Sequence, residues 1–215
     1  MQFLLYHFLF YQIAMKKVLI LLSAVLFAMQ MQAQDVALLN RIREANGKVK
    51  SFESDLANTM VKPKKTTKQN GKLYFVTPYE FSATFNTGNY MIVNEKKIKM
   101  DIGMFHGTFK LKDGGMMQGL SRIFLYGFQG RIQELANENG YTISTITEGV
   151  YHVVTGMAKK KPLFGVGYKT VVFKYHTDSL LLKEIVLYDY NGNKDTYVIS
   201  NVKYDVAIDK KKFQF

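Results

Sequence analysis

The side chains best suited to chemistry in this sequence are few and scattered. Histidine occurs at four positions: His7, His106, His152 and His176. No two of them have the HxH or HxxxH spacing that suits a metal. Asp189 and Asp195 bracket the turn Asn191-Gly192-Asn193, and paired carboxylates can do acid–base work. Aspartate beside a turn, however, commonly accepts local hydrogen bonds.

The catalytic motifs that a sequence can reveal are also missing. There is no GxSxG, no Walker loop, and no GxGxxG before a helix. We therefore expect a protein that is not an enzyme and uses no metal or cofactor. A hydrolase with a scattered site is the alternative from another functional class.

What the sequence has in excess is apolar surface, with 14 Tyr, 16 Phe and 11 Met residues. Large apolar residues recur at one parity of the strand segments and along a central helix. The candidate cavity-lining residues are Leu73, Phe75, Phe81, Phe85, Ile98, Met100, Phe109, Leu120, Phe124, Phe128, Ile132, Val171 and Phe173. Methionine adapts its shape to varied apolar ligands. The pattern alone favours an ordinary packed core over a cavity, and both interpretations stay open at this point.

The elements that must position these residues follow a simple order. The stretch DVALLNRIREANGKVKSF has helical spacing and predicts an amphipathic helix from about Asp35 to Val49. About six strands follow, with turn-type separators such as KPKKTTKQNG and NEKK. An apolar helix, LSRIFLYGFQGRIQELANENG, then precedes five or six further strands. Gly127 and Gly130 predict that this helix is broken, mobile or closely packed against a neighbour.

The hairpin from Leu180 to Val202 has apolar side chains that need to be covered by another element. Its first arm, LLKEIVLYD, is mostly apolar on both faces. A hairpin with one solvent-exposed face should instead alternate apolar and polar residues. Connections this short predict an antiparallel meander, and a sheet this wide curls or closes. We therefore predict that the central helix lies across the concave face, above apolar side chains.

The first 33 residues predict export. Met15-Lys16-Lys17, an apolar run and Ala33 form a secretory signal peptide, residues 15–33, with cleavage near Ala33. Residues 1–14 carry no Lys or Arg and are interpreted as a start-site artefact. The alternative is a longer membrane anchor from Met1, which the two lysines would interrupt.

Residues 34–215 are then long enough for a single domain with a substantial core. The chain has no cysteine, so an exported form relies on packing rather than on disulfides. Its formal net charge of +12 suits anionic membrane surfaces or acidic partners. No nucleic-acid-binding signature accompanies that charge.

Several segments together resemble the periplasmic outer-membrane lipoprotein carrier family (LolA-type). They are SFESDLANTM, GKLYFVTPYEFSATF, NEKKIKMD and the closing LKEIVLYDYNGNKDTYVISNVKYDVAIDKKKF. In the closing segment, family-type residues occur in the family's order: Asp189, Gly192, Thr196, Tyr197, Asn201 and Phe213. The resemblance implies an α+β, mostly β fold. A strongly curved antiparallel sheet of about eleven strands forms an incomplete barrel, with an N-terminal helix and a central lid helix over an apolar cavity.

The resemblance also implies a function. It predicts a periplasmic monomer that takes the acyl chains of lipoproteins from an inner-membrane lipoprotein-releasing ABC transporter. The carrier ferries them towards the outer membrane, where the existence of an acceptor stays open. The alternative is a lipid- or protein-sensing adaptor on the same scaffold.

One departure from the family concerns the lid. Family members carry Arg before the strand proline, where it helps to lock the lid, whereas Thr77 precedes Pro78 here. Arg122 and Arg131 are candidate substitutes, although a place on the solvated face of the helix is the favoured interpretation of both. The lysine loops at residues 62–65 and 159–161 are candidates for contact with anionic headgroups or the transporter, or are simply exposed.

Overall fold

The computed structural model describes residues 35–102, 105–112, 115–161 and 167–215. The predictions for residues 1–14 and 15–33 lie outside these ranges. The whole sheet lies in one compact unit, Leu39–Phe215. Helix α1 covers residues 35–47, so the predicted first helix ends two residues before Val49.

Among the residues that the structure describes, eleven strands form one antiparallel sheet. They are β1 (Ser51–Lys62), β2 (Lys65–Val76), β3 (Glu80–Phe85), β4 (Tyr90–Val93), β5 (Lys97–Ile102), β6 (Phe105–Lys110), β7 (Tyr141–Glu148), β8 (Tyr151–Ala158), β9 (Tyr168–His176), β10 (Leu182–Asp189) and β11 (Lys194–Tyr204). Their order is β6-β5-β4-β3-β2-β1-β11-β10-β9-β8-β7. Since β6 and β7 are the two edges, the sheet is unclosed, and the predicted incomplete barrel is confirmed.

Two helices link these edges along the chain: α2 (Met116–Gln129) and α3 (Ile132–Asn139). The predicted central helix is therefore broken, and the break lies at Gly130. This residue has φ 65°, a left-handed conformation that ends α2, and the next amide, of Arg131, donates to the Tyr126 carbonyl at 2.8 Å. A 3-10 turn, Lys210–Phe213, follows the last strand.

The apolar first arm of the β10–β11 hairpin packs in the interior of the barrel. Ile185 and Leu187 are almost fully buried, and their partners on β9 are Phe173 and Val171. A register shift between Leu182 and Glu184 interrupts the alternation, so that Leu182 is buried as well. The bulge therefore accounts for the burial of Leu182, whereas Val186, between Ile185 and Leu187, is buried without one.

One separator was predicted wrongly. The stretch KPKKTTKQNG was expected to be a turn, but β2 begins at Lys65 and only Pro63 and Lys64 form the turn. Thr66 and Thr67 pair with Val61 and Met60 of β1. Their β-branched side chains suit a strand, and this preference outweighs the polar composition of the segment.

Candidate functional site

A cavity of about 720 Å³ lies at one end of the sheet, under the N-terminal half of α2. We call this the cavity end; it carries the β1–β2 turn, the start of β7, the end of β8 and the β10–β11 turn. The volume falls within the roughly 300–1,000 Å³ of sites that bury small ligands. Its lining is Met60, Lys62, Met91, Met100, Ile102, Phe105, Gly115, Met116, Gln118, Gly119, Leu120, Arg122, Ile123, Glu138, Tyr141, Ala158, Lys160, Gly167, Tyr168, Asp189, Tyr190, Asn191, Asn193, Asp195 and Tyr197.

Four methionines supply much of the apolar wall. Met91 and Met100 are buried, Met60 is half-buried, and Met116, at the first turn of α2, has 47 % of its surface exposed. Unbranched thioether side chains rearrange at low energetic cost, so this wall can follow the shape of a flexible apolar ligand.

The interior beneath the other half of α2 is filled. Phe124 and Phe128 pack there against β2, β3 and β11, with ring centroids 5.6 Å from Phe81, 5.4 Å from Phe75 and 5.2 Å from Tyr197. The space left among these rings is about 10 Å³, about enough for one water molecule. The helix thus has an open half towards Met116 and a packed half towards Gln129.

The candidate residues divide between these two regions. Met100 and Leu120 line the large cavity. Five others surround the small space: Leu73, Phe81, Phe85, Phe124 and Phe128. The remaining six line neither of them: Phe75, Ile98, Phe109, Ile132, Val171 and Phe173. A role in lipid binding for these thirteen positions stays a prediction.

Sequence reasoning missed most of the cavity wall, although one signal was available. Inward-facing positions continue past the apolar runs to the strand ends, where Met60, Tyr141 and Tyr168 lie. Extending each alternation to the turn would have found Met60 and Met91. The polar members could not be found in this way.

Asp195 introduces a carboxyl group into the cavity wall. Its pKa is raised from 3.8 to about 6, chiefly by burial; the Lys62 charge lowers the pKa, and the nearby Asp189 charge raises it. Its Oδ1 is buried and has no hydrogen-bond partner among the described residues. A carboxyl group in this state costs folding free energy, which is typical of functional positions.

Asp189 has a different role from that of Asp195. Its Oδ1 accepts the amides of Asn191 and Asn193, both at 2.8 Å, and its Oδ2 accepts Asn193 Nδ2 at 2.6 Å. Three hydrogen bonds hold Asp189 in the hairpin turn, as expected for aspartate beside NGN. The two carboxyl groups therefore lie in different environments: Asp189 accepts three hydrogen bonds, whereas Asp195 Oδ1 accepts none from the described residues.

Two tyrosines, the buried Tyr141 and the half-buried Tyr168, complete this side of the wall. Burial raises the pKa of Tyr141 to about 12, and its hydroxyl donates to the Tyr168 carbonyl at 3.0 Å. Burial also raises the pKa of Tyr168, with the charges of Asp195 and Asp189 adding to the effect. Both phenols stay neutral at physiological pH, so the wall remains weakly polar.

The packed half of α2 is fastened by hydrogen bonds. Gln129 Nε2 donates to the carbonyl of Pro78 at 2.6 Å, and the Tyr175 hydroxyl donates to the carbonyl of Gly127 at 2.9 Å. Gln129 thus contacts the residue that follows Thr77. A Cβ on Gly127 would lie 2.6 Å from Phe173 Cε1, so the close packing predicted for this glycine is confirmed.

The two arginines bind within the helical segment. Arg122 pairs with Glu138 of α3 at 3.1 Å. Arg131 lies 4.7 Å from the Tyr126 ring centroid and pairs with Glu134 at 3.3 Å. These contacts join α2 to α3.

No group of three or more His, Asp or Glu side chains lies close enough to hold a metal ion in the part of the chain that the structure describes. Across those same ranges, no helix has the length and apolar content needed to cross a membrane.

The fold and the cavity together define a class of protein: an incomplete antiparallel barrel with a two-helix cover over a partly open interior. No protein-family model and no curated protein sequence matches the chain. Solved structures similar to it include a LolA superfamily protein from Nitrosomonas europaea, at 9 % identity over 84 % of this chain and 97 % of the other, with a TM-score of 0.41.

Two further structures match over similar lengths. A putative outer membrane lipoprotein-sorting protein domain from Vibrio parahaemolyticus is 8 % identical over 84 % of this chain and 96 % of its own, with a TM-score of 0.45. A DUF1329 family protein from Desulfovibrio piger is 15 % identical over 83 % of this chain and 95 % of its own, with a TM-score of 0.45.

Proposed function

We propose that this protein is an exported carrier that holds the acyl chains of lipoproteins or related lipids in the cavity under α2. The observation that supports this most is the hollow of about 720 Å³ lined by four methionines. A packed core does not need such a space, and protein interiors are normally filled to crystal-like density.

The energetics of acyl chains make such a site useful. Each methylene exposed to water costs roughly 0.8 kcal/mol, so a lipid anchor does not cross an aqueous compartment unaided. A chain inside the cavity would exchange water for Met100, Leu120 and Ile123. On this proposal the compartment is the periplasm, the donor an inner-membrane ABC transporter, and an outer-membrane acceptor a further partner.

The polar part of the wall supports a second candidate. Lys62, Lys160 and Asp195 face the same space as the methionines. A ligand that carries polar groups beside its apolar part, such as a peptide segment, would satisfy both kinds of surface. The second candidate is therefore an adaptor that binds a lipid or a protein segment without transferring it.

Ligand binding is the first test of both candidates. We expect lipid to co-purify with the protein and to be detectable by mass spectrometry. We also expect the protein to bind a fluorescent acyl-chain probe in solution. Leu120→Asp places a charge on the cavity wall and is expected to weaken probe binding at least about tenfold, because a buried charge near apolar ligand is costly. Ile146→Asp, on an exposed strand position, is the matched control and should leave binding unchanged.

The outcomes separate the candidates. Equal effects of the two substitutions, with both variants folded by circular dichroism, would refute the cavity as the binding site. Transfer then distinguishes carrier from adaptor: inner-membrane vesicles with the transporter and ATP should release lipoprotein as a soluble complex with a carrier. Ligand binding without release would favour the adaptor.

A further inference from the structure

Six lysines flank the solvent side of the cavity, and we call them the rim lysines. They are Lys62, Lys64, Lys65, Lys159, Lys160 and Lys161. All six are exposed, and Lys62 and Lys160 also line the cavity. The first three lie at the β1–β2 turn and the others follow β8, with β11, β10 and β9 between them in the sheet. The curvature of the barrel therefore sets the two groups on either side of one opening.

The charge of the rim lysines is only partly offset by the described acidic residues at the cavity end, where Lys62 acts on the Asp195 carboxyl group and lowers its pKa. Glu138 pairs with Arg122 at 3.1 Å, Asp189 is held in the hairpin turn, and Asp195 lies in the cavity wall. Among the residues that the structure describes, no rim lysine forms a salt bridge.

Lysines in the body of the sheet behave differently. Lys174 pairs with Glu184 at 2.9 Å, and Lys203 pairs with Glu53 at 2.8 Å. Cross-strand pairing of this kind is the ordinary use of lysine on a sheet surface. The rim lysines lack it, so their positive field extends into solvent beside the cavity mouth.

Apolar side chains accompany the lysines at the same end. Val61 is 40 % exposed beside Lys62, and Met116 is 47 % exposed at the start of α2, where it also lines the cavity. A surface with lysines around exposed apolar side chains matches a lipid interface, since ammonium groups reach phosphates while apolar groups enter the headgroup region.

We propose that the cavity end docks on an anionic bilayer through the rim lysines, with the cavity mouth turned towards the lipid. Its purpose rests on the proposed function of the cavity, because an acyl chain can then move between bilayer and protein with little exposure to water. The docking itself requires no bound ligand. Each lysine near an anionic surface strengthens binding by about fivefold.

The test is vesicle co-sedimentation with the protein as the cell processes it, its N-terminus read by mass spectrometry. Phosphatidylglycerol–phosphatidylethanolamine vesicles are expected to bind the protein, and phosphatidylcholine vesicles are not. The triple variant Lys64→Gln, Lys159→Gln, Lys161→Gln changes only rim lysines outside the cavity lining and should bind the anionic vesicles on the order of 100-fold more weakly. Raising the salt to about 1 M, where the screening length falls to about 3 Å, should release the wild type.

The control variant carries the same charge change at the opposite end of the sheet. It combines Lys96→Gln, Lys97→Gln and Lys110→Gln, which removes three exposed lysines from the β4–β5 turn and the end of β6. Vesicle binding by this variant should stay within about twofold of that of the wild type. Equal losses in the two triple variants would overturn the rim as the docking surface. Absence of binding to the anionic vesicles would overturn the proposal in favour of an acidic protein partner.

Acyl-probe binding in solution keeps the two proposals apart. The rim variant is expected to bind the probe like the wild type, which shows that it is folded and that its cavity is intact. Probe binding without vesicle docking would refute only the docking. Docking without probe binding would refute the carrier and leave the membrane-facing rim in place.

Discussion

The buried carboxyl group of Asp195 leads to a prediction about stability and pH. Its pKa rises from 3.8 to about 6 on folding, chiefly because of burial. The folded state therefore binds the proton more tightly than the unfolded state does. Between pH 3.8 and about 6 the folded protein carries more protons, so the free energy of unfolding falls as the pH rises through this window. Above about pH 6 the folded protein carries the full free-energy cost of the buried, charged carboxylate.

The size of this effect on the free energy of unfolding follows from the pKa shift of Asp195. A difference of about two pKa units at about 1.4 kcal/mol each corresponds to up to about 3 kcal/mol. Asn has the shape of a protonated Asp and no charge, so Asp195→Asn removes the penalty. We expect the variant to be more stable than the wild type by up to about 3 kcal/mol near pH 8, and equally stable below pH 3.8.

The measurement is urea unfolding of both proteins across this pH range, followed by circular dichroism. Asp189→Asn is the matched control: it removes a charged acceptor from three hydrogen bonds and should destabilise the protein by about 1–3 kcal/mol. A variant Asp195→Asn that is no more stable at pH 8, or whose advantage persists below pH 3.8, would refute the assignment of a buried, uncompensated carboxylate.

Two further predictions concern the cover. Gly130→Ala should lower the free energy of unfolding by about 2–4 kcal/mol, because φ is 65° and the new Cβ would lie 2.7 Å from the Ile42 carbonyl oxygen. Gly140→Ala has a similar φ but open space, so urea unfolding should give a loss of only about 1 kcal/mol; equal losses would contradict the packing argument. Gln129→Leu leaves the Pro78 carbonyl without its donor and should cost about 1–3 kcal/mol while speeding acyl-probe release in stopped flow. Unchanged release would argue against Gln129 as the fastening of the cover.

Much of the architecture could be predicted from local pattern. The hairpin at Asn191-Gly192-Asn193, the short connections and the order of helix and strands predict an antiparallel meander with a central helical insertion. The predictions from the two glycines were also correct: Gly127 packs closely against a neighbour, and Gly130 lies at the break between α2 and α3. These features depend on backbone preferences and on side-chain periodicity, both of which are local.

The errors have local causes too. Lys65 to Asn70 looked like a loop because of its polar composition, yet it forms the start of β2 with its neighbours on β1. The alternation on β10 was obscured by a bulge near Leu182, where one extra residue changes which side chains face inward.

The candidate site was harder to predict, because periodicity gives the face of an element and not the depth behind it. Leu120 and Phe124 lie one turn apart on the same side of α2 and looked equivalent. Phe124 packs against Phe81 and Tyr197, whereas Leu120 borders the hollow. Which of them meets a ligand depends on strands distant in sequence.

The sequence by itself determined the succession of the strands along the chain, the inward parity of most of them and the position of the helical break, since each follows from residues close together in the chain. The pairing of β1 with β11, the first and last strands, does not. The tertiary structure alone decided where the interior is filled and where it is empty. It also brought Asp195, Met60 and the two lysine groups to a single opening. That convergence depends on the curvature of eleven paired strands, a collective property that no short segment carries.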